Sequence, residues 1–257
     1  MNNFAFCTVT YGEKYIKFGD SLINQLNNNG HHVFVLTNDF DHYTSTDILT
    51  PMRHDSDYFS FHEKRNIVKE CLKQYDTAIF LDSDVFIKDT SGLNVFNDMD
   101  PGLHIFSNFG DISQNFLNND HGKFTPTSIR NGKYGELGFN FLKNNNFKYK
   151  QPCHGDSTEC YLPHFLEGRW AIRRENGKEN VFFDKWDLLA NFTDKVDIEF
   201  GFINQIGAGE GSHMSIAARN SEMSLHNLSP YTSFIEKNFI SNYQEKVDGT
   251  KPWNAAG

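Results

Sequence analysis

Two carboxylates one residue apart, Asp82 and Asp84, interrupt the otherwise apolar run "IFLDSDVFIK" at 79–88. An ionised side chain inside an apolar run is costly unless something compensates it. In an extended chain, side chains at i and i+2 point to the same side. Two like charges held that close repel, and a divalent cation removes the repulsion. Oxygen donors suit Mg²⁺ or Mn²⁺, ions that commonly share their coordination with substrate phosphates. The residues therefore point to a metal–diphosphate site, with a turn or helix cap after a strand as the plainer alternative. Lys64 and Arg65 precede the pair on a predicted helix, as cations able to face the same ligand.

The elements that must position these groups alternate regularly over the first ninety residues. A β-rich run, FAFCTVTYG (4–12), precedes a helical pattern over 14–28 with Ile16, Leu22, Ile23 and Leu26 on one stripe. Gly30 follows as a C-cap able to take the left-handed conformation. A second run, VFVL, lies within 31–39, and 62–75 predicts a second helix with Ile67, Val68, Cys71 and Leu72 inward. The third strand carries the aspartates. Strand–helix alternation of this kind predicts parallel pairing through right-handed crossovers, hence an α/β fold. Ligands in such sheets bind outside the carboxyl ends of the strands.

Further along, 135–144 reads as a strand and 156–168 as a helix capped by Asp156. Gly207, Gly209 and Gly211 alternate in "GAGEGSH", as a turn or a loop over a ligand; no Gly-Lys-Ser/Thr follows, so it is no Walker loop. Trp170 and Trp186 are core residues or stacking surfaces for sugar rings. The 257 residues suit one large domain, 1–257. A net charge of −9 argues against nucleic acid as a partner. The four cysteines show neither zinc-site nor disulfide-scaffold spacing. With neither signal peptide nor transmembrane segment evident, a cytoplasmic protein is expected.

The stretch "KRNIVKECLKQYDTAIFLDSDVFI" resembles the D-x-D region of nucleotide-sugar-dependent glycosyltransferases of the type A fold. The opening TYGEKYIKFGDSLINQLNNNGHHVFVLTND is similar to their first strand, nucleotide loop, helix and second strand. "KYI", "VFVLTND" and "EKR" look most like the retaining blood-group A/B and α-1,3-galactosyltransferase group. This resemblance implies a Rossmann-like, mostly parallel central sheet flanked by helices. It implies a UDP-sugar donor, a glycan hydroxyl acceptor, Mn²⁺ or Mg²⁺, and hexose transfer with retention.

Carried onto this chain, the resemblance makes Asp84 a direct metal ligand, with Asp82 contacting the ribose and the metal. Thr10, Tyr11 and Tyr15 would meet the nucleobase, against the alternative of packing at the strand–helix junction. Arg65 would sit near the diphosphate, against the alternative of a solvated helix face. His226 would be a third metal ligand or a surface histidine before a turn. Asp156 and Glu159 are the catalytic candidates, touching the acceptor or the reacting sugar; they also read as a helix cap and its capping-box partner. The alternatives to sugar transfer are a nucleotidyltransferase making a nucleotide sugar and a non-catalytic sugar- or nucleotide-binding protein.

Overall fold

The computed structural model describes residues 3–54, 61–107, 123–124, 140–147, 160–161, 165–200, 210–231 and 235–237. The strands of the first unit are β1 (Phe4–Thr10), β2 (Val33–Thr37), β3 (Leu49–Arg53), β4 (Thr77–Leu81) and β5 (Val85–Ile87). Its helices are α1 (Glu13–Asn27) and α2 (Lys64–Cys71). Strands β3, β2, β1 and β4 pair side by side in that order, every pair parallel. All residues of β1, β2 and β4 are buried, because helices cover both faces of a parallel sheet and leave no solvated side. Each fully buried phenylalanine of this core, such as Phe4, Phe6, Phe34 or Phe80, contributes about 1.5–3 kcal/mol by leaving water.

The helical stripes fall where the periodicity places them. Ile16, Leu22, Ile23 and Leu26 of α1 are buried, as are Ile67, Val68, Cys71 and Leu72 at α2. Gly30 takes φ +74°, the left-handed conformation expected after α1. Helix α2 is shorter than the expected 62–75, and a 3₁₀ turn at Phe61–Glu63 precedes it.

The chain divides into two compact units. The first holds the described residues up to Met99 except Phe61 and His62. It also takes Ser229–Tyr231 and β11 (Ile235–Lys237), which pairs antiparallel with β5. The second holds His62 and the described residues from Asp100 to Leu228. The described residues thus leave the first unit after Met99 and rejoin it at Ser229.

In the second unit, β6 (Gly102–Ser107) pairs antiparallel with β9 (Phe165–Arg173) and parallel with β10 (Leu225–Asn227). Two short strands, β7 (Lys123–Phe124) and β8 (Cys160–Tyr161), pair with each other. The described part of α3 covers 140–144, and α4 (Lys178–Phe200) packs on α5 (Glu210–Ser221). The fold class is α/β with mostly parallel strand pairing and flanking helices. Among the described residues, no helix is long and apolar enough to cross a membrane.

Two expectations for this unit are overturned. The described residues of 135–144 are helical, and the described residues of 156–168 are in strands β8 and β9. In the first case the helix buries Leu142, and Phe147 is buried just beyond its end, a pattern that the polar residues between them hide. In the second, Phe165–Arg173 gains its partner strand from Gly102–Ser107, a distant stretch of chain, which local periodicity does not report.

Candidate functional site

Parallel pairing brings the carboxyl ends of β1, β2 and β4 to one edge of the first unit's sheet. Thr10 is paired with Thr37 there, and β4 ends at Leu81. Helices that follow parallel strands begin at that same edge, so α1 and α2 present their N-terminal turns to it. Gly12 caps α1 with φ +84°, and its N–H donates to Asn38 Oδ1 at 2.9 Å, joining the two strand ends.

Asp82 and Asp84 occupy this edge, but not inside a strand. Strand β4 stops at Leu81, and the Val85 N–H donates to the Asp82 carbonyl at 3.0 Å, closing a tight turn. The chain then leaves as β5 to pair with β11. The expectation of one continuous strand, with both carboxylates on one side by i, i+2 alternation, is thus corrected. The apolar run is two strands of different sheets, joined by the aspartates. Both side chains are half-buried, and Oδ1 of Asp84 is shielded from solvent.

The compensation of Asp82 comes from α2. Lys64 Nζ lies 2.9 Å from Asp82 Oδ1, with the lysine side chain only 8% exposed. The same ammonium sits 5.3 Å from the centre of the Phe80 ring. Arg65 is also buried, its side chain 7% exposed and its guanidinium 4.0 Å from Glu63. A solvated helix face is therefore excluded for Arg65. Two buried cations in the first turn of a helix oppose the helix dipole, so they need nearby anions to be tolerated. Glu63 and Asp82 supply part of that need.

The three residues expected at the nucleobase differ in surroundings. Thr10 is fully buried, and its methyl group fills the space over Gly19, where a Cβ would come within 2.2 Å. That is packing at the strand–helix junction. Tyr11 is half-buried, edge-on to the His54 ring at 5.5 Å. Tyr15 is 43% exposed in the first turn of α1, beside Lys14 and Phe18. It offers the accessible aromatic face of the three. A hollow of 290 Å³ opens nearby, lined by Gly12, Lys17, Asn38, Asp39 and His42 among others; none of the sequence-predicted site residues lines it.

His226 belongs to the second unit, whereas the aspartates belong to the first. Its ring stacks on His104 at 4.5 Å, and Nε2 lies 3.0 Å from the Pro101 carbonyl. A carbonyl only accepts, so the proton sits on Nε2 and Nδ1 keeps the lone pair a cation would meet. Burial pushes the His104 pKa down to about 4, against the raising effect of its bond to the Asp100 carbonyl. Asp156 and Glu159 lie outside the described residues. Among the described residues no cluster of three or more metal-ligating side chains occurs.

Trp170 and Trp186 are fully buried, which makes them core residues rather than sugar platforms. Trp186 Nε1 donates to His62 Nδ1 at 3.2 Å. Sequence reasoning named Lys64 as a cation able to face the ligand but carried only Arg65 into the site, whereas Lys64 is the one that reaches Asp82. Its signal was its place beside Arg65, but only the helix phase decides which of the two cations reaches Asp82.

The donor chemistry of the turn fits a hard divalent cation, since two carboxylates stand at the end of a buried strand.

No protein-family model matches the chain, and no curated protein matches its sequence. Among solved structures it is similar to the apo form of mouse xyloside xylosyltransferase 1, with a TM-score of 0.38 and 13% identity. That similarity covers 88% of this chain and 84% of the other.

Proposed function

We propose that the chain is a metal-dependent glycosyltransferase that moves a hexose (galactose, N-acetylgalactosamine or glucose) from a UDP-sugar to a glycan hydroxyl, with retention. The observation that supports this reading is the Asp82–Asp84 turn at the carboxyl end of β4, backed by the buried cations Lys64 and Arg65. A parallel sheet collects strand ends and helix N-termini at one edge, the ordinary place for a nucleotide's phosphates.

Asp84, with Asp82, would hold Mn²⁺ or Mg²⁺, which when bound supplies charge neutralisation for the departing diphosphate. Lys64 and Arg65 act on the same diphosphate. Their burial lowers the local dielectric and strengthens each contact with developing negative charge. Tyr15 and Tyr11 meet the uracil ring, Tyr15 with the more exposed face. Asp156 or Glu159 orients the acceptor hydroxyl or stabilises the positive sugar.

The test is UDP release from UDP-galactose, UDP-N-acetylgalactosamine and UDP-glucose, with and without Mn²⁺. We expect release from at least one donor only with metal, and a loss of roughly 10²-fold or more in Asp84→Asn, as for removal of a main charge-stabilising group. Undiminished, metal-independent turnover by Asp84→Asn would sink the proposal. Binding of UDP without any donor cleavage would leave a non-catalytic nucleotide-binding protein.

A further inference from the structure

We infer that Asn176–Gly177, in the turn that joins β9 to α4, is a covalent modification site where asparagine is converted without an enzyme into aspartate and isoaspartate. The inference is independent of the glycosyltransferase reading.

The chain has three Asn-Gly pairs, at 29–30, 131–132 and 176–177, of which the second lies outside the described residues. Asparagine cyclises readily before glycine, because no side chain there obstructs the approach of the backbone nitrogen to the amide carbon. At 175–178 the fold selects this same pair. The Lys178 N–H donates to the Glu175 carbonyl at 3.0 Å, and between them Asn176 and Gly177 take φ +54° and +87°. Positive φ at both central residues marks a type I′ turn, the one that prefers asparagine followed by glycine.

Hydrogen bonding separates the two described pairs. Asn29 Nδ2 donates to the Gln25 carbonyl at 2.8 Å, and its Oδ1 accepts from the Thr90 hydroxyl at 3.0 Å. The Gly30 N–H donates to the Asn27 carbonyl at 2.9 Å. Both reacting groups of that pair are held, and these bonds must yield before a ring can close. Asn176 is exposed, and among the described residues neither its side-chain amide nor the Gly177 N–H makes a hydrogen bond. The Glu175 carboxylate pins the flanking residues instead, accepting from Lys178 and Ser224. The turn thus keeps the pair in place while leaving its reacting groups to water.

In the reaction the Gly177 nitrogen gives its proton to hydroxide and bonds to Asn176 Cγ. The Cγ–Nδ2 bond breaks, and that nitrogen leaves as ammonia. Water then opens the five-membered imide. Addition at Cγ gives aspartate; addition at the main-chain carbonyl carbon gives isoaspartate, whose backbone runs through the former side chain. Either product places a new carboxylate beside Glu175 in the chain, and Glu179 follows in the first turn of α4. Like charges gathered there oppose one another and weaken the turn.

The test is to age the purified protein at mildly alkaline pH, folded and unfolded in urea, and to map its peptides by mass spectrometry. We expect the mass gain of amide-to-acid conversion at Asn176 to grow at least about tenfold faster than at Asn29 in the folded protein, as two products of equal mass. In urea the two sites should react at comparable rates. Asn176→Gln, which must close a larger ring, should lose the gain at that position. Equal rates at Asn29 and Asn176 in the folded protein would overturn the inference, as would an unchanged Asn176 there while the urea-unfolded chain reacts. Both readings use wild type, so they stand whether or not the glutamine variant folds.

Discussion

Lys64 shows how much one side chain's phase matters. Lys64 and Arg65 are adjacent in sequence and equally buried, yet the ammonium reaches Asp82 and the guanidinium lies by Glu63. Glu175 makes a comparable hub in the second unit. It accepts from Lys178 Nζ and from the backbone and hydroxyl of Ser224. Burial raises its pKa, but these donors outweigh burial and hold it below the usual carboxylate value. A depressed carboxylate pKa stabilises the fold above its unfolded value and loses that contribution as pH falls through the folded one. Glu175→Gln should therefore cost about 1–3 kcal/mol at pH 7. In urea unfolding, the gap to wild type should close below about pH 4. His104 has the same sign for a different reason. Its pKa of about 4 lies under the unfolded value near 6.5, so the unfolded chain takes the proton first. Stability should fall by up to roughly 3 kcal/mol as pH drops from about 7 toward 4, and His104→Phe should flatten that slope. An unchanged slope would show that the histidine is not the titrating group.

At the scale of elements, the junction of β1 and α1 is the tightest packing beside the candidate site. A Cβ on Gly19 would come within 2.2 Å of the Thr10 methyl group, so the helix can lie this close only with glycine. Intrinsic helix propensity favours alanine there by about 1 kcal/mol. Overpacking opposes it by about 1–3 kcal/mol and should win, because Thr10 is fully buried. Gly19→Ala should thus lower the urea midpoint; a rise would mean that α1 shifts without cost. The turn after β4 carries the other element-level lesson. An apolar run with two carboxylates in its middle looks like one strand, yet it is two, because β5 finds a partner in β11 and turns away from the parallel sheet.

At the scale of the whole chain, the polypeptide leaves the first unit after Met99 and returns to it at Ser229. Strand β11 pairs with β5 over Ile235–Ile87, Glu236–Phe86 and Lys237–Val85, directly after the aspartate turn. Truncation after Leu228 should remove this ladder, cost about 1–3 kcal/mol in two or three hydrogen bonds, and raise hydrogen exchange at the β5 amides. Exchange at β5 unaffected by truncation would deny the pairing its role.

The first unit was legible in the sequence because its signals are local. Continuous apolar runs make doubly covered strands, the 3.6-residue stripe of Ile16, Leu22, Ile23 and Leu26 makes α1, and Gly30 ends it. The aspartate pair and its neighbouring cations were legible for the same reason, as charges where apolar residues belong. Strand β9 was not legible, since its partner β6 lies far back in the chain, at Gly102–Ser107, and no periodicity encodes that distance. Nor was the burial of Trp170 and Trp186, which composition leaves open to either core or surface. By itself the sequence determined an α/β first unit with charged groups at a strand end. Tertiary structure alone decided that Asp82 and Asp84 form a turn and that Lys64 is the cation on Asp82. A side chain's partner depends on where two distant elements meet, and that is set by packing rather than by spacing along the chain.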